Sequence, residues 1–126
     1  MDEHATVLLI EDDVSIRDMY AFAFSRAGLK VYTAHTGEEG IELALKHHPK
    51  VILVDIMMPG LNGHQVVQAI RKDVWGKTAH VIYLTNMFDA ENVVTAHANK
   101  PEEYIIKAQT DIKEVIKIIR TAMYAK

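Results

Sequence analysis

Five short apolar runs alternate with stretches of helical periodicity along this chain, and that rhythm restricts the fold more than any other feature. The runs are Thr6-Val7-Leu8-Leu9-Ile10, Lys30-Val31-Tyr32-Thr33-Ala34, Val51-Ile52-Leu53-Val54, His80-Val81-Ile82-Tyr83-Leu84 and Tyr104-Ile105-Ile106. The first, third and fourth are apolar without alternation, which predicts strands covered by helices on both faces of a parallel sheet. Between the runs, helices are predicted over Ser15 to Ala27 with Gly28 as the stop, Gly37 to His47, Gly63 to Lys72, Ala90 to Ala98 and Asp111 to Ala125. Thr36-Gly37-Glu38-Glu39 fits a capping box, and Ile112, Val115, Ile116, Ile119 and Met123 place an apolar stripe on the last helix. Strand-helix alternation with short, right-handed crossovers predicts an α/β fold: a flavodoxin-like, doubly wound sheet of five parallel strands with five helices. Alternation alone does not order the strands, and of the common doubly wound orders the flavodoxin-like 2-1-3-4-5 is chosen as the expectation.

Polar residues collect where such a sheet places its ligands. Glu11 and Asp12 follow the first strand, Asp55 the third, Thr85 the fourth and Lys107 the last. In an open parallel sheet all of these share the C-terminal edge, and the crevice opens where the strand order reverses. Three carboxylates brought together there repel one another and call for a proton or a cation. Glu11, Asp12 and Asp55 form an oxygen-only donor set that suits magnesium. An aspartate can attack phosphorus to give an aspartyl phosphate if the charge on the transferred group is neutralised. Metal, Lys107 and the Thr85 hydroxyl would supply that neutralisation, one for each equatorial oxygen.

The quoted segments Leu9-Ile10-Glu11-Asp12-Asp13, Val54-Asp55-Ile56-Met57-Met58-Pro59-Gly60, Leu84-Thr85 and Tyr104-Ile105-Ile106-Lys107 resemble the receiver domain of bacterial two-component response regulators. The likeness spans essentially the whole chain and is closest to single-domain, chemotaxis-regulator-like members. It implies one receiver domain over residues 1–126 without an output domain. It implies that Asp55 is the phosphoacceptor, served by a sensor histidine kinase or a histidine phosphotransfer protein. Asp12 would bind Mg2+ directly, Glu11 through water, and Met57 through its backbone carbonyl, with Asp13 pointing away from the ion. Thr85 and Lys107 would hold the phosphoryl group, the Asn86 backbone N–H would assist, and Tyr104 would swing inward with Thr85 as the switch. The output face would be the last two helices and the strand between them, docking an unknown downstream protein, with the chain a monomer or a phosphorylation-dependent dimer. Such a protein is a signalling switch that catalyses only its own phosphorylation and dephosphorylation.

The sequence departs from the family pattern at Ala108, where a proline usually follows the lysine, and at Asn86, where a small residue is usual. These departures motivate a rival reading, a phosphorylation-independent interaction module. A second rival, a phosphatase of the haloacid-dehalogenase type, needs another aspartate two residues after its nucleophile, and Met57 stands there.

Composition narrows the setting. With 126 residues and 49% hydrophobic content the chain fits one core, and with no cysteine it has neither a disulfide framework nor a thiolate site. A net charge of −3 with mixed signs argues against direct nucleic-acid binding. No segment reads as a membrane span or a signal peptide, so a cytoplasmic protein is expected. The seven histidines are expected at the surface, and Trp75 as a packing anchor of its loop.

Overall fold

The computed structural model describes residues 5–85, 103–106 and 110–124. Its strands are β1 (Thr6–Ile10), β2 (Lys30–Ala34), β3 (Val51–Asp55), β4 (His80–Thr85) and β5 (Glu103–Ile106). They form one sheet in the order β2-β1-β3-β4-β5, and every neighbouring pair is parallel. Among the described residues the helices are α1 (Val14–Arg26), α2 (Gly37–His47), α3 (Gly63–Arg71) and α4 (Ile112–Met123). The helix expected over Ala90 to Ala98 lies outside the described residues. A short 3-10 helix (Trp75–Thr78), which the sequence reading did not anticipate, precedes β4.

Side chains alternate across each strand, and β1, β3 and β4 are buried on both faces, whereas the edge strand β2 is only partly covered. Val7 and Leu9 of β1, Val51 and Leu53 of β3, and Ile82 and Leu84 of β4 pack with Tyr20 and Phe24 of α1 and Val115 and Ile119 of α4. Leu8 and Ile10, Ile52 and Val54, and Val81 and Tyr83 pack on the opposite face with Ala44 of α2 and Val66, Val67 and Ile70 of α3. Eleven of these twelve strand residues are aliphatic, and all twelve are 0% exposed, so the continuous apolar runs and the double winding are one fact seen twice.

Local chemistry sets the helix ends. Asp13 caps α1, its Oδ1 accepting from the Ile16 N–H at 2.9 Å, and Gly28 takes a φ of 91° just past the end of the helix. At α2 only half of the expected capping box forms. The Thr36 Oγ1 accepts from the Glu39 N–H, but the Glu39 carboxylate turns to His35, taking its backbone N–H at 2.8 Å and pairing with its Nδ1 at 2.9 Å. The complete box is at α3, where the Asn62 side chain accepts from the Gln65 N–H and the Gln65 side chain accepts from the Asn62 N–H.

Candidate functional site

The turn from β1 into α1 carries the first acidic residues. Glu11 is 0% exposed. Its N–H donates to the Ala34 carbonyl at 3.0 Å, its Oε2 accepts from the Asp13 N–H at 3.1 Å, and its carbonyl accepts from the Arg17 Nη1 at 3.0 Å. Asp12 follows on the exposed lip of the turn. Asp13 spends its carboxylate on the α1 cap.

Asp55 is the last residue of β3 and is 4% exposed. Its Oδ1 accepts from the Met57 N–H at 3.1 Å. The two buried carboxylates are thus oriented alike, each by the backbone N–H two residues further on. The backbone beyond Asp55 is held from both sides: the Ile56 N–H donates to the Leu84 carbonyl, and the Ile56 carbonyl accepts from the Gly63 N–H, both at 3.0 Å.

One carboxylate oxygen from each of Glu11, Asp12 and Asp55 lies within 4.8 Å of the others. Among the described residues no other group of three or more such side chains gathers in this way. The donors are all oxygens, two from buried residues and one from an exposed residue, a set that fits a hard divalent cation rather than a soft or imidazole-seeking one.

Thr85 ends β4 on the same sheet edge and is 5% exposed. Asp55 pairs with Leu84 in the β3–β4 register, so Thr85 lies one residue beyond Asp55 along that edge. On the far side Thr85 pairs with Ile106, the residue that precedes Lys107, and Tyr104 pairs with Tyr83. Lys107, Ala108 and Asn86 lie outside the described residues, as does the side chain of Tyr104. Met57 is 66% exposed at the rim, whereas Met58 is buried.

Three features near the site escaped the sequence reading. A Cβ on Gly63 would stand 2.5 Å from the Asp55 carbonyl oxygen and 2.8 Å from the Ile56 Cα, so the start of α3 rests directly on the backbone of the acidic strand end. The signal available was the Asn62-Gly63 pair opening a helix. Arg17 reaches back to the Glu11 carbonyl, which its place one turn into α1 permits but does not announce. The third is His64, which is 8% exposed and stands edge-on to the buried Tyr83 with ring centroids 5.3 Å apart. The surface assignment of all seven histidines is therefore wrong for His64: as the second residue of α3 it faces the sheet, like Val67 a turn later. His47 and His48 stack on Tyr32 and Trp75, with centroids 4.1 Å and 4.4 Å apart, and Trp75 anchors its loop as expected.

With this geometry in view, comparison with known proteins gives a consistent result. The model of the response regulator receiver domain family matches residues 7–120. The chain is 34% identical over 102 residues to the transcriptional regulatory protein AfsQ1 of Streptomyces coelicolor, covering 81% of this chain and 44% of the relative. It is 37% identical over 101 residues to the probable transcriptional regulator ycf27 of Guillardia theta, covering 80% and 39% respectively. It therefore spans only about two fifths of the length of these relatives. The chemotaxis protein CheY4 of Vibrio cholerae superposes with a TM-score of 0.87 at 27% identity, covering 93% of this chain and 97% of that one. A response regulator receiver domain protein from Clostridium thermocellum gives 0.84 at 26% identity, covering 94% and 93%. By the family match, the sheet order and the acidic edge together, this chain belongs to the response regulator receiver domain family of two-component signalling.

Proposed function

We propose that the chain is a phospho-accepting switch in which Asp55 takes a phosphoryl group from the phosphohistidine of a sensor kinase or a phosphotransfer protein. The observation that carries this reading is the convergence of Glu11, Asp12 and Asp55 within 4.8 Å at the sheet edge that also holds Thr85. The Met57 N–H fixes one oxygen of the Asp55 carboxylate, which limits its rotation before attack. An Asp55 carboxylate oxygen forms the new bond to phosphorus, the phosphorus–nitrogen bond breaks, and its electron pair returns to the donor imidazole. Thr85 donates its hydroxyl to one phosphoryl oxygen, while Lys107 and the Asn86 N–H serve the others.

Magnesium, held by Glu11, Asp12, Asp55 and the Met57 carbonyl, would when bound neutralise charge on the carboxylates and the transferred group. Turnover is confined to the chain's own phosphorylation and dephosphorylation. The output passes through Thr85 and Tyr104 to a partner-binding face that includes β5 and α4, biasing a two-state equilibrium of that face.

The test is incubation with acetyl phosphate and magnesium, wild type beside Asp55→Asn, read by intact mass. A gain of one phosphoryl group in the wild type, absent from the variant and absent without metal, is expected. No gain in a wild type that binds magnesium would favour a module that works without phosphate.

A further inference from the structure

All three polar groups of Glu11 are accounted for by different parts of the fold: its N–H by β2, its carboxylate by the Asp13 N–H, and its carbonyl by the guanidinium of Arg17. The third is the unusual one. The carbonyl sits just past the end of β1, and with the whole residue 0% exposed it has no access to solvent. Arg17, half-buried on α1, supplies the donor from 3.0 Å and so clamps the peptide that links Glu11 to Asp12. It binds the carbonyl oxygen, so this bond takes no carboxylate oxygen away from a cation.

We propose that Arg17 is a positioning residue that sets the affinity of the acidic site for a divalent cation, an inference that rests on the magnesium reading given above. By holding the Glu11–Asp12 peptide it aims the exposed Asp12 carboxylate at the buried pair before the ion arrives. Charge and clamp act in opposite directions here, which makes the idea testable. As a fixed positive charge alone, Arg17 would repel the ion, and its removal would tighten binding, most visibly at low salt. As a clamp, its removal loosens binding whatever the salt.

The experiment is calorimetric titration of the full chain with magnesium chloride, alongside thermal unfolding in EDTA. Arg71→Ala is the control, because Arg71 clamps the carbonyls of Gly76 and Ala79 in the connection leading into β4, at the other edge of the sheet. Arg17→Ala is expected to weaken magnesium binding about tenfold or more, as is common when a group that orients a metal ligand is lost. Arg17→Lys, which keeps a charged donor, is expected to recover most of that loss. Arg71→Ala is expected to lose thermal stability and bind magnesium like the wild type. If Arg17→Ala lowers stability yet binds magnesium as tightly as the wild type, or more tightly, the positioning role is overturned. Should Arg17→Ala fail to fold, Arg17→Gln carries the same test, and unchanged affinity overturns the role equally. A wild type with no magnesium affinity overturns the magnesium reading itself, an outcome distinct from a wild type that binds alongside an indifferent Arg17 variant.

Discussion

The position a Cβ would occupy on Gly63 lies 2.5 Å from the carbonyl oxygen of Asp55, closer than side-chain carbons approach backbone in folded proteins. The first turn of α3 is thereby seated on the end of β3, and the Gly63 N–H donates to the carbonyl of the next residue, Ile56. The carboxylate at the centre of the site is thus placed by a glycine eight residues downstream as well as by its own strand.

Gly63→Ala should therefore cost more than its propensity suggests. In a helix Ala is ordinarily favoured over Gly, but here the methyl group must push back the β3 backbone, and overpacking of this kind costs about 1–3 kcal/mol. Urea unfolding should show that loss, and phosphoryl incorporation from acetyl phosphate should fall with it. A variant as stable as the wild type would mean that the two segments separate without strain.

Magnesium should stabilise the folded chain through the three carboxylates. At about a hundredfold excess over its dissociation constant, an ion that binds only the folded state adds about 2.7 kcal/mol. For a domain of this size that corresponds to a Tm rise on the order of 10 °C. Asp12→Ala should abolish the rise, yet be no less stable than the wild type in EDTA, since it removes one of three mutually repelling charges. A full magnesium shift in Asp12→Ala would exclude that residue from the ion's coordination.

Much of this was legible in the sequence because it depends on local pattern. Unbroken apolar runs such as Val51 to Val54 can persist only where helices cover both faces, and the acidic residues at strand ends then follow from parallel topology. Asp55 and Thr85 proved to be the terminal residues of their strands rather than the first residues beyond them, a difference of one position. What escaped depends on individual contacts that an apolar pattern does not specify. The approach of Gly63 to Asp55 and the reach of Arg17 leave no periodic trace, whereas His64 shares the buried face of α3 with Val67 one turn later. Composition counts His64 as polar, but its position on α3 turns it toward Tyr83. The Glu39 carboxylate had two local partners to choose from, and His35 offered both a backbone N–H and a ring nitrogen.

Asn62 is the helix cap that the sequence reading passed over. Its side chain and that of Gln65 satisfy each other's backbone N–H groups at 3.0 Å and 2.9 Å, directly before the glycine that seats α3 on Asp55. Asn62→Ala should cost about 1 kcal/mol by loss of the cap. Asn62→Asp keeps an acceptor at the helix N-terminus and should stay near wild type. Urea midpoints of the two variants separate this role from a general preference for asparagine in the turn.

Trp75 is the only tryptophan and lies in the connection leading into β4, whereas Asp55 closes β3 at the opposite edge of the sheet. A five-residue strand such as β3 spans roughly 16 Å at about 3.3 Å per residue. The indole stacks on His48, which takes a left-handed φ of 47°, the Trp75 backbone N–H donates to the Asp73 Oδ2 at 3.0 Å, and the side chain packs on the margin of the core on the α2–α3 face, so its direct partners all lie away from the three carboxylates. Trp75 emission should therefore follow global unfolding in urea while remaining unchanged when magnesium fills the acidic site. His48→Ala, which strips the stacked ring, should alter the folded-state emission and leave magnesium affinity intact. A magnesium-dependent change in Trp75 emission, measured well below the unfolding transition, would instead reveal coupling between the two edges of the sheet, carried by the core cluster that Trp75 shares with Val54 and Ile56.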